Sequence, residues 1–325
     1  MRYLLILICA ALVSACATSS ETRELKLGHS LAVSHPVHTG MVFMAERLEE
    51  ISGGKMKMTI YPSGQLGNER ETLELLQIGS LAMTKVSAAV LENFAPNFRV
   101  LGLPYIFESE EHMYRVLDGE IGEELLGQGE QYRFRGLCYY DAGSRSFYTK
   151  DRPVYTPEDL KGLKIRVMKS NTAVNMVNQL GGSPTPISFG ELYTALQQGV
   201  VDGAENNPPS FYSSRHYEVC KYYTLDEHTS VPDVLLVSMV WWNRLSEQEQ
   251  KWLKQAATES VSYQRVVWAE SVKESLAAVK AAGVEIIIPE KEDFSSVVNP
   301  IYEAYKDDVE KFELIMRVRA LADEK

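Results

Sequence analysis

From Ser246 to Ala282 the chain runs thirty-seven residues without a proline or a glycine. The run opens on Ser246-Glu-Gln-Glu249, a capping-box pattern in which a serine and the glutamate three residues on satisfy each other's backbone donors. The spacing predicts one long helix, or two nearly collinear ones. At about 1.5 Å per residue such a segment reaches about 55 Å, longer than a small lobe is wide. It is therefore expected to brace two lobes, and a length of 325 residues suits two.

After about residue 23 the chain alternates strand-like and helical runs. Leu25 and Leu27 alternate with polar neighbours, and Met41, Met44, Ala45, Leu48 and Ile51 then recur at helical spacing until Gly53-Gly54. Met56, Met58 and Ile60 alternate again, Tyr61-Pro-Ser-Gly turns the chain into a helix carrying Leu73 and Leu76, and Leu81 and Met83 open a third strand. Two β-α-β units in this span favour an α/β fold with a mainly parallel sheet. A second α/β block starts near Gly136-Leu-Cys-Tyr-Tyr and includes a strand at Lys164–Met168, a helix capped by Ser170 and a stop at Gly181-Gly182. The apolar run Val234–Val240 reads as a buried strand, and its late position predicts that the chain crosses back between lobes.

The first residues are an address rather than part of the fold. Arg2 supplies a positive charge, Leu4 to Val13 is an apolar stretch of ten residues, too short to span a membrane, and Val13-Ser14-Ala15-Cys16 closes it. A small-residue pair directly before Cys16 resembles the lipobox of bacterial lipoproteins, which implies residues 1–15 as a lipoprotein signal peptide, Cys16 as the lipidated first mature residue and 16–23 as a tether; the alternative is an ordinary signal peptide cut nearby, with Cys16 incidental. Export makes a disulfide between Cys138 and Cys220 possible, with two buried free thiols the equal alternative. The net charge of −11 disfavours a nucleic-acid partner. G-x-S-x-G, H-E-x-x-H, the P-loop pattern and G-x-G-x-x-G after a strand are all missing. The pair His35-Pro-Val-His38 announces no third metal ligand, so neither a metal nor a cofactor is expected.

Cationic and amide side chains at strand ends carry more information. Arg166 is flanked by Ile165 and Val167, which face the other way, so its guanidinium is directed to one side on a fixed stem. Arg145 lies just beyond the preceding strand. Ligands of open α/β sheets bind outside the carboxyl ends of strands, and arginine grips a carboxylate with two parallel bonds. Two arginines so placed imply an acidic ligand. Glu205, Asn206 and Asn207, in Asp202-Gly-Ala-Glu-Asn-Asn-Pro-Pro, add donors and acceptors within a short turn.

Taken in order, several segments resemble the solute-binding proteins of tripartite ATP-independent periplasmic (TRAP) transporters, the family of the dicarboxylate-binding component. They are Ile60–Arg70 (IYPSGQLGNER), Leu160–Val167 (LKGLKIRV), Ser183–Gln197 (SPTPISFGELYTALQ) and Val201–Pro208 (VDGAENNP), and the resemblance extends over nearly the whole mature chain. It implies a class II-like periplasmic-binding-protein clamshell with crossing hinge strands and a bracing helix. Residues 24–142 with 232–270 would form one lobe and 143–231 with 271–325 the other. Arg166 falls on the family's carboxylate-binding arginine, Arg145 on a second arginine, Phe189 on an aromatic wall and Asn206 on an amide near the ligand carboxylate. Glu69 occupies the place of an acidic residue that contacts hydroxyls in sugar-acid binders. Ser30, His35, Ser87 and His228 lie where other cleft residues fall, and Lys85, a charge inside a strand-like run, is expected to face the cleft.

The implied protein captures an organic acid outside the cytoplasm, lipid-anchored to a bacterial membrane, and delivers it to TRAP membrane subunits. Mixed polar groups beside the arginines, and the likeness of Glu205–His228 to uronate-binding members, favour a hexuronate such as glucuronate or galacturonate. The alternatives are a C4-dicarboxylate, sialic acid or a 2-oxo acid, or a sensory role for the same clamshell. A secreted enzyme on acidic sugars would need a carboxylate pair such as Glu69 with Glu205; the reading favoured here is a binding protein, not an enzyme.

Overall fold

A computed structural model describes residues 22–322. The signal segment, Cys16 and most of the tether lie outside the described residues. The chain forms two sheets. The first has the order β2-β1-β3-β10-β4, built from β1 (Arg23–Gly28), β2 (Met56–Tyr61), β3 (Met83–Ser87), β10 (Asp233–Ser238) and β4 (Phe134–Tyr140). The second has the order β11-β9-β5-β8-β6-β7, from β5 (Ser144–Thr149), β6 (Lys164–Val167), β7 (Ser183–Pro186), β8 (Gly203–Asn206), β9 (Tyr222–Ser230) and β11 (Glu285–Ile287).

The expected β-α-β units are present. Strand β1 pairs in parallel with β2 and β3, and the links are α1 (Pro36–Ile51) and α2 (Glu69–Gln77). Helix α1 starts where His35 caps it and Pro36 presets the first helical φ. Gly53 and Gly54 follow its end at φ 61° and 77°, a region that favours glycine. Asn68 and Glu71 form a capping box at the start of α2.

The stretch at Gly136, grouped by sequence with the second block, is instead an edge strand of the first sheet. Its place follows from pairing: β4 lies antiparallel to β10, which lies antiparallel to β3. Besides its return to β11 through the long C-terminal helix, the chain crosses between sheets at two short links, from β4 to β5 through Asp141-Ala142-Gly143 and from β9 to β10 through Val231-Pro232. The crossings run side by side, since Asp233 pairs with Tyr140 and Ser144 with Ser230. Strand β10 ends two residues before the apolar run does. Ser238 accepts from the Val240 amide and turns the chain into a short helix, Met239–Trp242.

The proline-free run forms a single helix, α5 (Glu247–Ala281), capped by Ser246 and Glu249. At about 1.5 Å per residue it is about 52 Å long. It packs on α1 and on α4 (Pro208–Ser213), so it bridges elements attached to both sheets. Its Gln264 side chain bonds both the N–H and the C=O of Asp141 at the first crossing, at 2.9 and 2.8 Å. Helix α3 (Asn171–Gln179) is capped by Ser170, as expected. The last helix, α6 (Val309–Ala320), returns to the segment Glu110–Asp118, where His112 Nε2 meets the Val318 carbonyl at 2.8 Å. Cys138 and Cys220 are buried free thiols. Among the described residues no helix is long and apolar enough to cross a membrane.

Candidate ligand-binding site

A cleft opens beside the two crossings, walled by the ends of strands from both sheets. Arg166 is its principal cation. Strand β6, between β8 and the edge strand β7, buries this side chain to 1% exposure, and Nε donates to the Ile187 carbonyl at 2.8 Å. Nη1 is buried with no partner among the described residues. Phe189 lies 6.0 Å from the guanidinium and forms an aromatic wall. Burial pulls the Arg166 pKa down from the ordinary guanidinium value, with Glu205 only partly opposing. A buried cation with an open donor is a place for an anion.

Arg145 also lines the cleft, but its charge is already matched. Its Nη2 donates to Glu205 Oε1 at 3.0 Å and to the Glu205 carbonyl at 2.9 Å, Nε donates to the second Glu205 oxygen, and Nη1 donates to Asn206 Oδ1 at 2.8 Å. Burial acts to lower its pKa, yet Glu205 overrides that and raises it. Asn206 takes the Arg145 bond and the Asn207 N–H on Oδ1, leaving its NH2 toward the cleft. Asn207 is committed to structure, capping α4 through Ser210 N–H and donating to the Ala142 carbonyl at 2.9 Å.

His228 stands behind this wall rather than on it. Register between β5 and β9 shifts past Arg145, and Glu227 takes φ 50°, so the chain bulges and turns Asp226 and His228 inward. His228 Nδ1 bonds Asp226 at 2.7 Å, while Nε2 lies 3.7 Å from Glu205. Burial acts to lower its pKa, but the two carboxylates override it and hold it at about 9. Glu205 is held at about 2, where Arg145 and His228 outweigh burial.

The first sheet supplies the facing wall. Lys85, in the middle of β3, donates to Glu69 at 2.7 Å and to Asp233 at 3.0 Å. Its burial alone would lower its pKa; the two carboxylates raise it. Glu69, at the first turn of α2, also accepts from the Ser87 N–H at 3.3 Å. Ser30 brings a buried hydroxyl with no partner among the described residues. His35 accepts from the Val37 N–H on Nδ1, so Nε2 carries the proton and donates to Ser210 across the cleft at 3.0 Å. His38 turns the other way, to His29 at 3.0 Å. Burial holds His35 well below the ordinary imidazole value.

Asp233 and Ser210 also line this cleft and were not singled out from sequence. Asp233 had a readable signal, a lone acid at the head of an otherwise apolar strand. Ser210 had none, because only the fold brings it to His35.

Residues 27–308 match the family model of bacterial extracellular solute-binding proteins, family 7. A TRAP solute-binding protein of Bradyrhizobium sp. BTAi1, solved with α/β-D-galacturonate, is 41% identical, with a TM-score of 0.89 over 92% of this chain and 100% of its own. One from Anaerococcus prevotii, solved with α/β-D-glucuronate, is 37% identical, with a TM-score of 0.90 over 93% of this chain and 99% of its own. The C4-dicarboxylate-binding periplasmic protein DctP of Rhodobacter capsulatus is 32% identical over 312 residues, 91% of this chain and 92% of that protein. The chain belongs to this family and is a TRAP-transporter solute-binding protein with the two-lobe fold.

Proposed function

We propose that this protein captures a hexuronate, glucuronate or galacturonate, outside the cytoplasm and hands it unchanged to the membrane subunits of a TRAP transporter. The observation that carries the reading is Arg166, a buried guanidinium lining the cleft whose Nη1 has no partner among the described residues, opposite a wall that is polar and mixed in charge. A ligand carboxylate would take that donor, Asn206 and Arg145 would flank it, and Phe189 would cover a sugar face. Glu69, Lys85, Ser87 and Ser30 offer partners for ring hydroxyls, while His35, with both ring nitrogens engaged, would shape the wall beside them. Solved relatives holding galacturonate and glucuronate support the choice of ligand.

In this reading, residues 24–142 with 232–270 and residues 143–231 with 271–325 close on the ligand about the two crossings, and a ligand that contacts both lobes stabilises the closed state by its differential affinity. Cys16 carries the lipid that anchors the tether. Calorimetry of the mature protein with glucuronate, galacturonate, succinate, pyruvate and sialic acid tests the ligand class: tight binding of a hexuronate is expected, and binding of succinate or pyruvate alone would sink the proposal. NMR of the recovered ligand is expected to show it unaltered. Loss of lipid labelling in Cys16→Ala tests the anchor.

A further inference from the structure

The wall facing Arg166 has a charge pattern that carboxylate binding alone does not require. Every residue of β3 is buried, and Lys85 at its centre meets Glu69 at 2.7 Å and Asp233 at 3.0 Å. Two carboxylates thus share one ammonium; burial pushes the Asp233 pKa up against the pull of Lys85, and with both carboxylates ionised the group carries one net negative charge inside the cleft. Oε2 of Glu69 and Oδ2 of Asp233 take no donor among the described residues. Both residues line the same cleft as Arg166, whose Nη1 has no partner among the described residues. Asp233 is also held in place, its backbone paired with Ser87 on one side and Tyr140 on the other.

We propose that Glu69, Lys85 and Asp233 form a charge filter that accepts the hydroxyl-bearing end of a monocarboxylate sugar acid and rejects a second carboxylate. The proposal rests on the hexuronate reading above and adds what that reading leaves open, the exclusion of diacids. A hydroxyl both donates and accepts, so it can give its proton to a free carboxylate oxygen of the wall while accepting from the remaining N–H of Lys85. A carboxylate only accepts. Placed here it would gain one Lys85 proton and face two groups of its own sign away from bulk water, the kind of repulsive element by which sites refuse close analogues.

The test compares D-glucuronate and D-galacturonate with the corresponding aldaric acids, D-glucarate and galactarate, by calorimetry at pH 7.5 on the mature protein. The wild type is expected to prefer the uronate at least 100-fold. Asp233→Asn is expected to cut that preference at least tenfold, through tighter aldarate binding, and any effect of the open aldarate chain cancels between wild type and variant. Glu69→Gln, at an accessible first helical turn, carries the same expectation should Asp233→Asn fail to fold. Aldarate binding within threefold of uronate in the wild type, or an unchanged preference in the folded variants, overturns the filter alone. A wild type that binds no hexuronate overturns the filter and the proposed function together.

Discussion

Arg145 gives three hydrogen bonds to Glu205, two to its carboxylate and one to its carbonyl, so of the two buried arginines of the cleft it is Arg166 that has no carboxylate partner among the described residues. Opposite outcomes follow for the two positions. Arg166→Ala removes a buried cation without a carboxylate partner; uronate affinity is expected to fall at least 100-fold with the melting temperature held or raised. Arg145→Ala strands Glu205 and is expected to cost about 3–5 kcal/mol of stability, the usual penalty for leaving one buried partner unpaired. Calorimetry and urea denaturation of both variants check this. Equal destabilisation by the two would contradict the division of roles.

The same network sets a pH dependence of folding. His228 stands at about 9 when folded against an ordinary 6.5, so its contribution is complete below about pH 6.5 and is lost as pH rises through 9. Glu205 stands at about 2 against 4.5, so its contribution is present above about pH 4.5 and is lost as pH falls toward 2. Stability from this cluster is therefore greatest between these limits. On the alkaline side the loss is on the order of 3 kcal/mol, from a displacement of about two and a half pH units. Urea denaturation from pH 5 to 9 should show the decline in the wild type and a flatter curve in His228→Gln.

What the sequence disclosed and what it hid divide along the range of the forces involved. Strands β1 to β3, the stop at Gly53-Gly54, the Ser170 cap and helix α5 depend on period and capping within a few residues, and all are legible there. The allegiance of β4 to the first sheet depends on pairing with β10, almost a hundred residues away, and local pattern carries no trace of it. The site divides in the same way. Arg166, Arg145, Phe189, Asn206, Glu69, Lys85, Ser87, Ser30, His35 and Asn207 come together on one cleft. His228 goes behind it because of a bulge in β9, and Asn207 has its amide tied to Ala142.

The bond from His35 to Ser210 joins α1 of the first sheet to α4 of the second. A neutral hydrogen bond of this kind contributes about 0.5–1.5 kcal/mol, which is about two- to tenfold in an equilibrium. Ser210→Ala is expected to weaken ligand binding by that factor and to do so through faster dissociation, because under the proposed closure this bond links the two lobes around the ligand. Stopped-flow measurement of both rates checks it. A change confined to the association rate would show that the bond does not hold the lobes together.

Gly40 lies where α1 crosses α5. A Cβ at this position would stand 2.8 Å from both Cβ and Cγ of Gln264 and 3.0 Å from the Tyr140 ring. None of these can withdraw cheaply: Gln264 holds both backbone groups of Asp141, and Tyr140 bonds Ser260 at 2.7 Å. Gly40→Ala is therefore expected to destabilise by about 1–3 kcal/mol, the range for overfilling a packed core, despite alanine's better helix propensity. Because the strained contact bears on the crossing from β4 to β5, ligand affinity should fall as well. Gly127→Ala, in a helix with nothing within 4 Å of the new methyl, supplies the contrast and should be neutral or slightly stabilising. Thermal denaturation of the pair, with and without ligand, measures both effects; a Gly40→Ala protein that melts and binds like the wild type would show that the helix crossing does not position the cleft.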